Sequence, residues 1–297
     1  MSGPLELTAG CKVNLYLDIV GVRADGYHEI ESLFYPLPAP SDTLTVEEGG
    51  GAGLRLACSD ASLATDGNIL AKAYRSFAEA TGFAPGVSLH LRKNIPMGAG
   101  LGGGSSDAAV FLKWLNARAG DRALAAGDLA RLALSLGADV PFFLQDGPAW
   151  VTGIGERLEP VACDLSDYVV VVVCPKVHVN TRWAYGRWDE ANLSGPARPR
   201  KELTPEISTI KKFCFTKPPK LWNAFEEIVF REFPTLYGVK KQILECSADA
   251  CVMSGSGSSF VALFSSVAGA RRCAAKMRVS GIACHGSRSG QPVTLEE

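Results

Sequence analysis

Five glycines stand within seven residues, Gly98 to Gly104, in the run Pro96-Met97-Gly98-Ala99-Gly100-Leu101-Gly102-Gly103-Gly104-Ser105-Ser106-Asp107. No other stretch limits the fold as sharply. Glycine takes φ > 0 without a steric penalty, so successive backbone N–H groups can converge on one point. A strand-like segment, Val87–Leu91, precedes the run, and an apolar, alanine-rich segment from Ser105 to about Ala117 reads as a helix. Ser105, Ser106 and Asp107 fall where a helix cap is expected. Amides gathered at a helix N-terminus hold an anion, most often a phosphate. A mobile surface linker is the plainer alternative, but a linker is not normally bounded by a strand and a capped helix.

The run matches neither of the two commonest phosphate loops. A Walker A loop ends in Gly-Lys-Ser/Thr, and no lysine lies between Pro96 and Ser106. A dinucleotide fingerprint needs the first strand of a βαβ unit, and this loop follows several strand-like segments.

A chain of 297 residues is expected to form one large domain or two ordinary ones. The formal charge of −1 gives no basic face for nucleic acid. The longest apolar run, Tyr168–Cys174, is too short to span a bilayer, and no secretory leader opens the chain. The expectation is therefore a cytoplasmic location, or the plastid stroma for a processed form, with no membrane or nucleic-acid partner. Nine cysteines, without a C-x-x-C pair, predict free thiols in a reducing compartment. Four scattered histidines, His28, His90, His178 and His285, predict no histidine metal site.

Short strands are predicted at 6–8, 12–20, 30–37, 43–47 and 54–58, then a helix over 68–80 and another over 128–136 with Asp128 as its cap. A second composition begins near Val169. It predicts a β-branched strand, helices around 221–230 and 235–246, strands at 250–254 and 259–264, a helix over 268–279 and a strand at 282–286. The stretch Gly195–Pro219 reads as a surface insertion. This order predicts an α+β class with helices on one face of antiparallel sheets, divided into domains at 1–164 and 165–297.

Three further stretches carry candidate chemistry. Lys12 and Asn14 are two apart, so on a strand they share a face. Such a pair is often solvated and idle, but a lysine on an apolar strand can neutralise phosphate charge. In Arg23-Ala24-Asp25-Gly26-Tyr27-His28, a turn presents a phenol ring and an imidazole, suited to stacking on and hydrogen-bonding a planar base. Asp139 lies in Gly137-Ala138-Asp139-Val140-Pro141-Phe142-Phe143. An acid in apolar company is functional, or it caps the next turn.

Taken together with Ser254-Gly255-Ser256-Gly257-Ser258-Ser259, these motifs resemble, in order and nearly end to end, the GHMP superfamily of small-molecule kinases. The resemblance implies a two-domain GHMP kinase fold, with an N-terminal ATP-binding domain like the second domain of ribosomal protein S5 and a ferredoxin-like C-terminal domain. It implies ATP and Mg²⁺ as cofactors, with no dedicated metal ligands in the chain. ATP would be held by Pro96, Gly98, Ala99, Gly100, Leu101, Gly102, Gly103, Gly104, Ser105 and Ser106, with Asn68 and Lys93 near adenosine. Asp139 would be the catalytic base, assisted by Lys12. The resemblance further implies an acceptor carrying a cytidine diphosphate, its cytosine held by Tyr27, His28 and Tyr185, with Asn14, Thr181, Gly255 and Gly257 completing the site. A monomer or weak homodimer is expected. The alternatives are a kinase of the homoserine or mevalonate type, whose acceptors have no base to stack, or a non-catalytic nucleotide-binding module.

Overall fold

The structure, a computed structural model, describes residues 3–49, 51–193 and 220–296. The stretch Gly195–Pro219 lies outside the described residues. By compactness the chain divides into two units that interleave along the sequence. One comprises 1–11, 40–96 and 102–146, the other 12–39, 97–101 and 147–297. Two long strands, β1 (Leu5–Val22) and β2 (His28–Glu48), each contribute residues to both units.

In the first unit, β3 (Leu54–Cys58) runs parallel to β4 (Val87–Arg92), and the C-terminal part of β2 pairs antiparallel with β4, Thr43 opposite Arg92. Helix α1 (Ile69–Thr81) buries Leu70, Ala73, Tyr74 and Phe77, a spacing that places them on one face. Asn68 caps it by accepting the Leu70 N–H at 2.9 Å. Gly82, at φ +67°, ends it by donating to the Ala78 carbonyl. Helix α2 (Gly103–Arg118) and helix α3 (Ala126–Leu136) complete the layer. Phe77, Phe111 and Leu112 are fully buried in its core, each worth about 1.5–3 kcal/mol.

Two caps differ from expectation. Helix α2 begins at Gly103 after a left-handed Gly102, so Ser105, Ser106 and Asp107 lie inside the helix and cap nothing. Helix α3 begins at Ala126, and Asp128 sits in its first turn, where its charge suits the helix dipole.

In the second unit, β2 pairs antiparallel with β5 (Ala149–Gly153), and β5 pairs antiparallel with β6 (Arg157–Pro160). Neither β5 nor β6 was expected. β7 (Val169–Cys174) is followed by α4 (Thr181–Leu193), and β8 (Trp222–Asn223) pairs parallel with β1 at Tyr16 and Leu17. The helix expected over 221–230 is thus this short strand followed by α5 (Glu226–Glu232). Helix α6 (Pro234–Glu245), β9 (Ala250–Met253), β10 (Phe260–Phe264), α7 (Val267–Val279), β11 (Ala283–Arg288) and β12 (Gln291–Val293) follow. They form an antiparallel sheet in the order β12-β11-β7-β10-β9. β7 is its middle strand and is buried along its whole length, which explains five consecutive valines in place of an alternating pattern. Leu236, Ile243, Phe260, Phe264 and Met277 pack in the core of this unit.

Candidate active site

In the second unit, β1 carries Lys12 and Asn14, both buried. The Lys12 ammonium donates to the Asn14 side-chain oxygen at 2.8 Å and lies 4.3 Å from the centre of the Phe34 ring. Asn14 is itself held. Its amide nitrogen donates to the Ser32 hydroxyl at 2.8 Å, and its backbone N–H donates to the Ser254 hydroxyl at 3.1 Å. Asn14 thus presents its carbonyl oxygen to the ammonium and has little rotational freedom left.

The first part of the glycine run, Met97–Leu101, belongs to the same unit. Gly98 and Gly100 adopt φ of +62° and +75°. The Lys12 N–H donates to the Leu101 carbonyl at 2.9 Å, and the Ser254 hydroxyl donates to the Gly100 carbonyl at 2.9 Å. Gly255 passes so near that a Cβ on it would stand 3.1 Å from the Gly100 Cα. The Ser259 N–H reaches the Ala99 carbonyl, and a Cβ on Gly98 would meet the His178 ring at 2.5 Å. The structure therefore brings Lys12, Asn14, Gly100 and Gly255 together.

Thr181 shares a 2.9 Å hydrogen bond with Ser256, and a Cβ on Gly257 would clash with the Met253 sulfur. Asn223, which sequence reasoning missed, fixes this loop. Its buried side chain donates to the Met253 and Gly255 carbonyls at 2.6 and 2.8 Å and accepts the Phe225 N–H at 2.8 Å. An Asn-Ala-Phe sequence has no local feature that announces such a role.

His28 opens β2, and its ring centre lies 4.5 Å from that of Tyr185 on α4. Trp188 meets the imidazole edge-on, and Nε2 is 2.7 Å from a carboxylate oxygen of Asp189. Tyr27 is 60% exposed, so its ring is free to meet a ligand.

The rest of the run, Gly102–Ser106, belongs to the first unit and opens α2. The N–H groups of its first turn have no partner within the helix and are available to an anion. Lys93, at the end of β4, pairs with both Asp42 and Asp107, the latter at 2.9 Å. A Cβ on Gly103 would sit 3.3 Å from the Lys93 nitrogen. Asp42 also accepts the N–H groups of Asn94 and Ile95 at 2.6 and 2.8 Å. The remaining oxygen of Asp107 is buried without a hydrogen bond among the described residues. Burial pushes Asp107 up to about 7, with Lys93 pulling it down and Asp42 adding to the rise. Burial works against the Lys93 ammonium, but the two carboxylates outweigh it and raise that group.

Asn68, besides capping α1, donates to the Leu63 carbonyl at 2.7 Å. Asp139 occupies the position before a short 3-10 helix, Val140–Leu144, and its side chain makes no capping hydrogen bond there. The purely capping reading of this residue therefore fails. Its half-buried carboxylate follows α3 and sits beside the buried Val140.

The sequence pattern of the GHMP kinases N terminal domain matches residues 68–147. A 4-diphosphocytidyl-2-C-methyl-D-erythritol kinase of Solidesulfovibrio magneticus is 47% identical over 267 residues, covering 88% of this chain and 90% of its own length. The enzyme of the same name from Chlorobium luteolum is 40% identical, with 93% and 94% covered. A crystal structure of 4-(cytidine 5'-diphospho)-2C-methyl-D-erythritol kinase, 36% identical, superposes with a TM-score of 0.77 over 95% of this chain and 98% of that one. Mevalonate kinase of Methanococcus jannaschii shares the fold at a TM-score of 0.66 and 12% identity, over 96% and 98% of the two chains.

Proposed function

The chain belongs to the 4-diphosphocytidyl-2-C-methyl-D-erythritol kinase family of the GHMP kinases, and from that premise we propose how its residues divide the work of phosphoryl transfer. The reaction is ATP-dependent phosphorylation of the 2-hydroxyl of 4-diphosphocytidyl-2-C-methyl-D-erythritol, in non-mevalonate isoprenoid precursor synthesis. Such a transfer needs positioning and charge stabilisation more than covalent help.

The triphosphate lies on the amides of Gly98–Ser106, flanked by Pro96. The observation that carries this reading is the succession of left-handed glycines, Gly98, Gly100 and Gly102, leading into the first turn of α2. Side chains there would turn the amides away or fill the space they face. Asn68 and Lys93 lie toward adenosine. Both also have structural work, Asn68 as a cap and Lys93 between two carboxylates, so Lys93 acts on the nucleotide through the field at the start of α2.

Asp139 takes the proton of the acceptor hydroxyl as its oxygen attacks the γ-phosphorus. Lys12 stabilises the negative charge that grows on that oxygen. Its buried ammonium is aimed by Asn14, so little reorganisation is required during the reaction. Asn14, Thr181, Gly255 and Gly257 shape the acceptor site, while Tyr27, His28 and Tyr185 take the cytosine.

Magnesium fits as an ion carried by the nucleotide. The hydroxyl of the half-buried Ser105, in the first turn of α2, is a hard oxygen donor of the kind Mg²⁺ accepts alongside phosphate and water. Bound there, Mg²⁺ supplies charge neutralisation of the phosphate oxygens.

Incubation with ATP, Mg²⁺ and the cytidyl acceptor, followed by phosphorus NMR, tests the reading. A new phosphomonoester resonance with matching ADP is expected. Turnover of mevalonate or homoserine in preference to the cytidyl acceptor would overturn it.

A further inference from the structure

The imidazole of His28 is gripped by one helix face. Tyr185, Trp188 and Asp189 recur on α4 at the three- and four-residue spacing that puts side chains on one side of a helix. Tyr185 covers the ring, Trp188 meets its edge, and Asp189 accepts from Nε2 at 2.7 Å. Asn180 anchors the start of the helix by accepting the Trp183 N–H at 3.0 Å. The His28 side chain is 10% exposed, so the ring has little freedom to turn over.

A carboxylate only accepts hydrogen bonds, so the shared hydrogen stands on Nε2. In the neutral ring Nδ1 then carries a lone pair and acts as an acceptor. Among the described residues, nothing donates to Nδ1. An acceptor at that atom suits a base edge that offers an N–H donor. Cytosine offers its exocyclic amino group; uracil offers a carbonyl oxygen at the same place, which would face the lone pair unfavourably.

We infer that Asp189 is a specificity-determining positioning residue: it fixes His28 in the tautomer that reads the amino group of cytosine and rejects uracil. The inference rests on the reading of His28 and Tyr185 as the cytosine site. A purely stabilising role is a poor account of the pair. The Asp189 side chain is 36% exposed, so water competes for its end of the hydrogen bond and limits what the contact adds to stability.

The test compares CDP with UDP binding to the full chain by titration calorimetry, in the wild type and in Asp189→Ala, Asp189→Asn and His28→Ala. The wild type is expected to favour CDP by about tenfold or more, as sites built around one hydrogen-bond polarity do. Asp189→Ala should shrink that preference to about threefold or less, while a non-hydrolysable ATP analogue binds as before. Asp189→Asn should keep most of the preference, because its amide oxygen still accepts from Nε2. In ¹⁵N NMR, His28 should be a single tautomer in the wild type and a mixture in Asp189→Ala. An unchanged CDP preference in Asp189→Ala, with His28→Ala abolishing it, would overturn the inference and leave the cytosine reading standing. A wild type without CDP preference, or a preference that survives in His28→Ala, would overturn both.

Discussion

The carbonyl oxygen of Ser254 stands 2.1 Å from where a Cβ on Gly100 would be. The obstruction is backbone, which cannot swing aside as a flexible side chain would. Gly100 also has φ +75°, where an L side chain is strained. Gly100→Ala is expected to cost about 3 kcal/mol or more and to lower Tm by roughly 5–10 °C. Gly120 is the control. It too has positive φ, at +56°, but nothing lies within 4 Å of its Cβ position. Differential scanning calorimetry of the two alanine variants should show the Gly100 change to be much the larger. Equal shifts would mean that the close approach contributes nothing.

Asp139→Asn keeps the size of the side chain and removes its basicity. General base catalysis is typically worth about 10²–10⁴-fold, so kcat should fall by that much. The Kd for ATP should stay within about twofold, since the amides of the glycine run are untouched. Retention of most activity in steady-state assays would exclude Asp139 as the base.

Asp107 ties stability to pH. Its folded value of about 7 stands above the ordinary 3.8. Between those limits the folded chain retains a proton that the unfolded chain has released. Its contribution to stability therefore falls as the pH rises through that window, then levels off. Asp107→Asn carries no such proton. In thermal melts from pH 5 to pH 8, the variant should gain on the wild type as the pH increases. A Tm difference that stays constant, or moves the other way, would contradict the assignment.

Asn223→Ala removes two buried hydrogen bonds and one partly buried one, and leaves a backbone N–H and two carbonyls to be satisfied otherwise. A loss of about 3 kcal/mol is expected from chemical denaturation. Asn223→Asp should be worse than Asn223→Ala, because it sets a carboxylate against the Met253 and Gly255 carbonyls. The reverse order would show that volume, not polarity, is what the site needs.

Much of the fold was legible in local pattern. The apolar spacing predicts a helix over 68–80 where α1 spans Ile69–Thr81, and the β-branched run from Val169 predicts the strand that β7 forms. The misreadings share a cause. Helix α2 takes in Gly103 and Gly104, which are poor helix formers. Gly103 is admitted where a Cβ would clash with Ile95 at 2.9 Å, a tertiary demand invisible in the local sequence. Trp222 and Asn223 have apolar neighbours at helical spacing, but pairing with β1 claims them as a strand. The chemistry-bearing motifs were visible because their residue types are unusual in their surroundings. Their supports, Asp42, Asp107, Asp189 and Asn223, were not, because each acts on a partner far away in sequence or lies in an unremarkable segment.

The valine-rich β7 has a consequence for synthesis. Both of its neighbours, β10 and β11, lie in residues 260–288, downstream of it in the chain. A ribosome adding about 5–20 residues per second releases this sticky segment several seconds before either flank exists to cover it. During that interval the nascent protein exposes an uncharged, β-prone stretch of the kind that associates with its own copies. High yield should therefore depend on holdase chaperones or a slow growth temperature, and most acutely when translation stalls between those two points.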